Sequence, residues 1–297
     1  MSNPPRLPTE FELIIQEKIK NFRNFEFVFA AINEFIHRYE HGYFTIVGVP
    51  GSGKSAILAK YLTDNPGVIY YNAQVAGKNY AEEFLKSICN QILETLHITS
   101  LPGNMNIEDN GFLSLLLQKI SDNKEPLQRL IIVIDELDAV DKNRQFNSTN
   151  ILYLPRYLPN GVYFIIARRP FKKDKSGLLI EAPSQILDLS KYKTENWDDV
   201  DAFTKHWQKM QGEGLSEIQI KVLGALTKAG NHGITVKEIG SIINDENYDI
   251  FDIFDIEEIL EQWFEFLQLH QVGKETYYKF YHYTFCNWLA HKVENAK

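Results

Sequence analysis

Apolar residues recur along this chain in two rhythms. Five short runs, Tyr43–Val47, Val68–Tyr71, Leu130–Ile134, Val162–Ile166 and Gln185–Leu189, are rich in β-branched, aromatic and leucine side chains and predict strands. Leu130–Ile134 is apolar at every position, as a central parallel strand covered on both faces requires. Between the runs, apolar residues fall at helical spacing. Phe11–Ile19 predicts a short helix and Glu26–Tyr39 a longer one, with Phe29, Ile32, Phe35 and Ile36 on one face. Ala56–Leu62, Tyr80–Leu96 (Phe84, Leu85, Ile88, Ile92, Leu96) and Phe112–Ile120 predict three more. Ile151–Leu158 reads as one or two helical turns broken by Pro155 and Pro159. Residues 1–9 read as a Pro-rich disordered tail, residues 98–110 as a loop and residues 171–184 as a basic loop. Strands alternating with helices predict an α/β fold, a parallel sheet with helices on both faces.

The pattern changes near residue 190. Helices are expected over 197–210, 215–229, 235–243 (with Thr235 as N-cap) and 255–267, then a strand at Thr276–Phe280 and a last helix at Tyr283–His291. Helices with one small β element suggest a smaller, mostly α winged-helix domain. The expected organisation is a tail and lead-in at 1–20, a P-loop NTPase domain at 21–192, a short helical linker at 193–214 and the winged-helix-like domain at 215–297.

Composition narrows the function classes. The chain has 297 residues, 44% hydrophobic and 24% charged, which suits soluble globular domains. A formal net charge of −8 argues against nucleic-acid or anionic-membrane binding by the whole surface, though not against a local patch. Two cysteines, Cys89 and Cys286, both in helical apolar patterns, read as buried thiols in a reducing cytoplasm rather than a disulfide framework. The polar N-terminus does not read as a signal peptide. No apolar run approaches a membrane span, and the eight histidines show no metal-ligand spacing with the cysteines.

The chemistry centres on Gly48-Val49-Pro50-Gly51-Ser52-Gly53-Lys54-Ser55, which fits G-x-x-x-x-G-K-[ST] at every fixed position. It follows a strand candidate and opens a helix at Ala56, the context that separates a phosphate loop from a chance Gly-rich turn. The glycines let backbone N–H groups turn inward around phosphates, and the helix N-terminus favours an anion. Lys54 is expected to reach the β- and γ-phosphates and Ser55 to hold Mg²⁺.

Asp135 ends the most apolar run, where a P-loop enzyme places its second Mg²⁺ ligand. Glu136 beside it is a candidate to orient or polarise the attacking water, and Asp138 could support either role. The bland alternative is an acidic turn capping a helix. Arg168 and Arg169 follow another central strand, where a guanidinium could meet a γ-phosphate; solvated loop cations are the alternative. Lys172, Lys173 and Lys175 read as a solvated loop more than a nucleic-acid site.

These residues resemble the STAND class of P-loop NTPases, which includes the NACHT and NB-ARC families within an AAA-type ATPase core. The resemblance is carried by Gly48–Ser55, by Asp135-Glu136 after Leu130–Ile134, by Arg169-Pro170 after Val162–Ile166, and by Phe280-Tyr281-His282-Tyr283 opening the last helix. It implies that His282 contacts ADP phosphates from a winged-helix domain folded over the nucleotide; Tyr283 stands where an acidic residue often follows. It also implies that Phe22–Phe27 is the lead-in at the adenine, with Asn24 and Phe25 where a glycine and an arginine are usual. Such proteins resemble switches in which ADP holds a closed form and ATP opens it, promoting oligomerisation. They commonly carry sensor and effector domains. Neither is evident here, so the chain reads as a switch core, a fragment or a partner-dependent protein.

The expectation is therefore a slowly hydrolysing ATP/ADP switch using Mg²⁺, with Asp135, Glu136 and Arg169 catalytic, and the phosphate loop through Ala56 plus His282 binding nucleotide. The first alternative is a DNA-binding ATPase using a winged helix. Against it, Glu238–Glu265 carries ten carboxylates and no Lys or Arg, which DNA phosphates would repel. The second alternative, a small-molecule kinase, would need an acceptor pocket and lid arginines.

Overall fold

A computed structural model describes residues 7–20, 22, 25–95, 111–123, 125, 128–145, 149–170, 177–192, 200–245 and 252–294. Most of the expected tail, the 98–110 loop, Arg23, Asn24, Lys172, Lys173, Lys175 and the 197–199 start of a helix lie outside these residues. Two compact units divide the chain, the first comprising Met1–Gly48 and Ser52–Leu189 and the second Val49–Gly51 and Ser190–Lys297.

The first unit starts with two helices, α1 (Thr9–Lys20) and α2 (Glu26–Arg38). Strands and helices then alternate as expected: β1 (Gly42–Val47), α3 (Lys54–Asp64), β2 (Ile69–Asn72), α4 (Ala81–Thr95), α5 (Phe112–Asn123), β3 (Leu130–Asp135), β4 (Val162–Arg168) and β5 (Ser184–Asp188). The five strands form one parallel sheet in the order β2-β3-β4-β1-β5. Every residue of β1 and β2 is buried, which explains runs without alternation. The first strand lies between the last two, so chain direction across the sheet reverses at β1. Crevices at such reversals, at the carboxyl ends of strands, are where open α/β sheets take ligands.

The segment expected as one or two helical turns is a single tight turn, Ile151–Tyr153. Leu152 and Tyr153 adopt left-handed backbone with φ of 54° and 53°. Side chains hold it: Gln145 Oε1 accepts from Leu152 N at 3.0 Å, and Asn150 donates to Leu154 O at 2.6 Å and Leu179 O at 2.9 Å. Pro155 then blocks helical continuation.

Gly42 opens β1 in a space that admits no side chain. A Cβ there would lie 2.4 Å from Pro183 O and 2.7 Å from Phe35 Cζ, at a φ of 152°. Pro183 O is also the acceptor for Tyr43 N at 2.9 Å, so it cannot retreat without breaking the β1–β5 lead-in. Gly42→Ala is expected to cost about 2–4 kcal/mol of stability, the range of overpacking plus strain. A urea midpoint unchanged from wild type would show that β5 yields at no cost.

The second unit contains α6 (Val200–Gln211), α7 (Glu217–Ala229), β6 (Ile234–Thr235), α8 (Val236–Asp245), α9 (Ile253–Gln262), β7 (Leu267–Val272), β8 (Glu275–Phe280) and α10 (Tyr283–Glu294). Its strands form an antiparallel sheet in the order β6-β8-β7. Ser216 caps α7 in a reciprocal box with Gln219. Thr235, expected as a cap, belongs to β6 and also accepts from Glu238 N at 3.2 Å, while its own N–H donates to Glu238 Oε2 at 2.8 Å.

The helix expected over 255–267 stops at Gln262. A tight turn at Phe264–Phe266 follows, and Leu267 begins β7 opposite Phe280. Trp263, Phe266 and Leu267 are all buried, so the apolar spacing runs on after the helix has ended. Phe285 anchors this core, against Phe203, Phe266, Phe280 and Tyr281. Cys89 and Cys286 are buried free thiols. Among the described residues no helix is long and apolar enough to cross a membrane.

Candidate nucleotide site

β1 delivers the glycine-rich loop to the carboxyl edge of the sheet. Gly51 and Gly53 take φ of 76° and 86°, left-handed values that would strain other residues. Gly48 is needed for space, since a Cβ there would meet Ser52 Oγ at 2.4 Å. Val49 and Pro50 lie between these glycines. Gly53 N-caps α3, and the helix proceeds through Lys54, Ser55 and Ala56. Ser52 Oγ is buried and makes no hydrogen bond among the described residues. An unsatisfied hydroxyl inside a loop of inward-turned backbone fits a phosphate oxygen as its missing partner.

Lys54 is 5% exposed, and its Nζ donates to Gly48 O at 2.7 Å. Burial lowers its pKa; Glu136, Asp138 and Asp135 act against that shift, and Arg169 adds to it. The ammonium is thus held across the loop, among three carboxylates, where a polyphosphate would bring it further charge.

Asp135 ends β3 fully buried. Its pKa is pushed up to about 6, first by burial and then by Glu136. Ser55 Oγ donates to Asp135 Oδ1 at 3.2 Å and lies 3.4 Å from Glu136 Oε1. Glu136 has a φ of 52°, left-handed backbone costing on the order of 1 kcal/mol in a non-glycine residue. Two carboxylates and a hydroxyl gathered at one point are the hard oxygen donors that Mg²⁺ prefers, and burial makes the charge of Asp135 costly without it. The residues present therefore fit a Mg²⁺–nucleotide, with Ser55 and Asp135 as holders of the metal.

Asp138 does not join this group. It turns to β4, where Oδ1 accepts from Arg169 N at 2.7 Å and Oδ2 lies 3.3 Å from Arg169 Nε. Burial raises the Asp138 pKa despite this pairing. Arg168 donates through Nη1 to Arg169 O at 3.0 Å, and burial lowers its pKa.

His282 lies in the second unit at the start of α10, half-buried. Its Nδ1 accepts from Thr284 N at 3.3 Å and contacts Thr284 Oγ1 at 2.7 Å, and burial lowers its pKa. Accepting at Nδ1 places the ring proton on Nε2.

Two features of the site have no motif to announce them. Tyr70, on β2, donates its hydroxyl to Asp135 Oδ2 at 3.2 Å. Phe25 is buried with its ring 3.1 Å from where a Gly53 Cβ would stand, closing the back of the loop. The signal for Tyr70 was its place two residues before the end of a strand neighbouring β3, visible only once strand order is known.

Residues 37–167 match the family model described as an AAA domain. No curated protein matches the chain. Among solved structures, the Walker-type ATPase PABY2304 of Pyrococcus abyssi superposes with a TM-score of 0.53 at 11% identity, over 87% of this chain and 93% of that one. The Aeropyrum pernix ORC2 protein in ADPNP–ADP complexes gives a TM-score of 0.38 at 10% identity, covering 99% of this chain and 95% of that one. Drosophila ORC bound to AT-rich DNA and Cdc6 gives 0.36 at 14%, covering 98% and 97%. Those two likenesses are too loose to carry an argument. The likeness to PABY2304, with the sheet and loop above, shows a P-loop NTPase fold.

Proposed function

We propose that this chain is a nucleotide switch that binds ATP or ADP with Mg²⁺, hydrolyses ATP slowly, and signals or assembles in its ATP state. The observation that carries the reading is the meeting of Ser55 Oγ with Asp135 and Glu136 beside the loop, with the buried Lys54 held on Gly48 O in electrostatic reach of both carboxylates. Gly48 to Ala56 would cradle the phosphates, and Lys54 would exchange Gly48 O for phosphate oxygens. Ser55 and Asp135 would hold Mg²⁺, which when bound supplies neutralising charge to the phosphates. Glu136 would orient the attacking water.

Arg169 suits a state-dependent contact. Its partner in this structure is Asp138, and a γ-phosphate is a competing anion. A ligand shifts a two-state protein only through contacts that differ between the states. Arg169 would contact nucleotide with ATP present, and His282, as the resemblance implies, would do so with ADP in the closed form. Assembly of copies in the ATP state, and a protein partner or sensor and effector domains elsewhere, belong to the same reading. So does a cytoplasmic setting.

A DNA-binding ATPase is the competing reading. Lys274 and Lys279 on or beside the β7–β8 hairpin favour it locally, whereas exposed Asp255, Glu257, Glu258 and Glu261 along α9 oppose it. A salt-sensitive affinity for duplex DNA would decide for it.

The test is to denature purified protein and identify the nucleotide released. Stoichiometric ADP from wild type, and none from His282→Ala, is the expected result. ADP retained in His282→Ala would remove the latch while leaving the nucleotide site. An empty wild type that also fails to bind added ATP would overturn the reading.

A further inference from the structure

Among the described residues β2 is an edge strand, and no strand pairs with the outward backbone groups of Tyr70. Gln91 on α4 replaces the missing strand. Its Oε1 accepts from Tyr70 N at 3.3 Å and its Nε2 donates to Tyr70 O at 2.9 Å. Both the N–H and the C=O of this one residue are thereby clamped at the outer edge of the strand. Register sets Asn72, not Tyr70, opposite Asp135. The tyrosine ring runs along the same face of the strand, two residues further, and its hydroxyl reaches Asp135 Oδ2 at 3.2 Å. Asn72 Nδ2 donates to that hydroxyl at 3.1 Å, which turns the phenolic proton toward the carboxylate. The ring is walled in by Phe11 of α1, edge-on at a centroid distance of 5.4 Å and 87°. Tyr70 is 2% exposed, so these contacts leave it no other position.

We propose that Tyr70 is a positioning residue for Asp135, fixing the carboxylate so that Oδ1 faces Ser55 and the metal, and that α1 holds Tyr70 in place through Phe11. Asp135 has two oxygens, and Ser55 meets only Oδ1. Oδ1 also accepts from Glu136 N at 2.9 Å, so Oδ1 is held from the loop side and Tyr70 holds Oδ2 from behind. Without the tyrosine hydroxyl Oδ2 would be left buried without this donor, and the carboxylate could tilt out of the plane that presents Oδ1 to the cation. Groups that orient a metal ligand from behind commonly govern affinity for the metal while touching neither metal nor nucleotide.

The inference rests on the reading of Asp135 as a metal holder, and the experiment separates the two. Nucleotide affinity would be measured by fluorescence for wild type, Tyr70→Phe and Phe11→Leu, in EDTA and across a Mg²⁺ titration. Tyr70→Phe keeps the ring and removes only the hydroxyl. The expected result is a roughly tenfold higher Mg²⁺ concentration at half effect, with affinity in EDTA unchanged. Phe11→Leu should move the same quantity in the same direction by less. Equal weakening of Tyr70→Phe with and without Mg²⁺ would mean a merely structural tyrosine and overturn the proposal. So would an unchanged Mg²⁺ titration. A wild type indifferent to Mg²⁺ would instead remove the metal reading of Asp135, and the role of Tyr70 with it.

Discussion

Lys54→Met should abolish the thermal stabilisation that Mg²⁺–ATP gives the wild-type chain. Methionine keeps the unbranched stem inside the buried channel and deletes the charge. Hydrogen bonds to charged groups contribute about 1.5–3 kcal/mol each, and an ammonium bridging two phosphates makes at least two. A loss of roughly 3 kcal/mol is a hundredfold or more in affinity. At a ligand concentration of about 100 times the wild-type Kd, binding stabilises wild type by roughly 2.7 kcal/mol, and a hundredfold weaker variant by about 0.4 kcal/mol. Differential scanning fluorimetry would read these as a shift of several degrees against one near the noise.

The ligand-free variant should melt close to wild type. Burial lowers the Lys54 pKa even with three carboxylates nearby, so the cation is not a net stabiliser of the empty loop. Gly48 O loses its donor, which sets a modest cost. A Lys54→Met chain that still shows the full ATP shift would mean that phosphate is bound elsewhere.

The loop, its strand and its helix were legible from the sequence because each of their requirements is local. Gly51 and Gly53 must take left-handed backbone, and Lys54 must follow within one turn. The position of Asp135 was legible for a similar reason, since the unbroken apolar run before it marks where the strand ends. What escaped depends on strand order. Tyr70 meets Asp135 only because β2 lies beside β3, and no periodicity carries that information. Asp138 was expected to support either Asp135 or Glu136; the left-handed turn at Glu136 and the tight turn over Leu137–Ala139 give it Arg169 as a partner, which the sequence did not indicate. In the second unit the expected helix ran on to Leu267, the first residue of β7, and the rest of that strand had no expectation. Trp263, Phe266 and Leu267 serve the same core from a helix end, a tight turn and a strand.

Asp135→Asn should make the ligand-free protein more stable while removing its response to Mg²⁺. The carboxylate is fully buried, and its pKa is pushed up to about 6 from the ordinary aspartate value of about 4. A group whose pKa is raised by folding stabilises the fold in full below its unfolded pKa, and that contribution is lost as pH rises through the folded one. The loss therefore falls between about pH 4 and pH 6. Above that window the ionised side chain costs roughly 3 kcal/mol relative to its neutral form, at about 1.4 kcal/mol per pH unit. Asparagine is neutral at every pH and nearly the same shape. Its oxygen can stay where Oδ1 was, accepting from Ser55 and from Glu136 N, while the Tyr70 hydroxyl turns to accept from its amide. Some of the gain is spent on that rearrangement, leaving about 1–2 kcal/mol at pH 8. At pH 4 wild type is itself protonated at this position, and the advantage should vanish. Urea melts of both proteins at pH 4, 6 and 8, without metal, give the profile. A variant less stable than wild type at pH 8 would mean that Lys54 and Ser55 already satisfy the carboxylate, and that the site is built for its charge without a cation. A gain at high pH, joined to a lost Mg²⁺ effect on nucleotide binding, would identify Asp135 as a residue kept at the expense of stability for the ligand it holds.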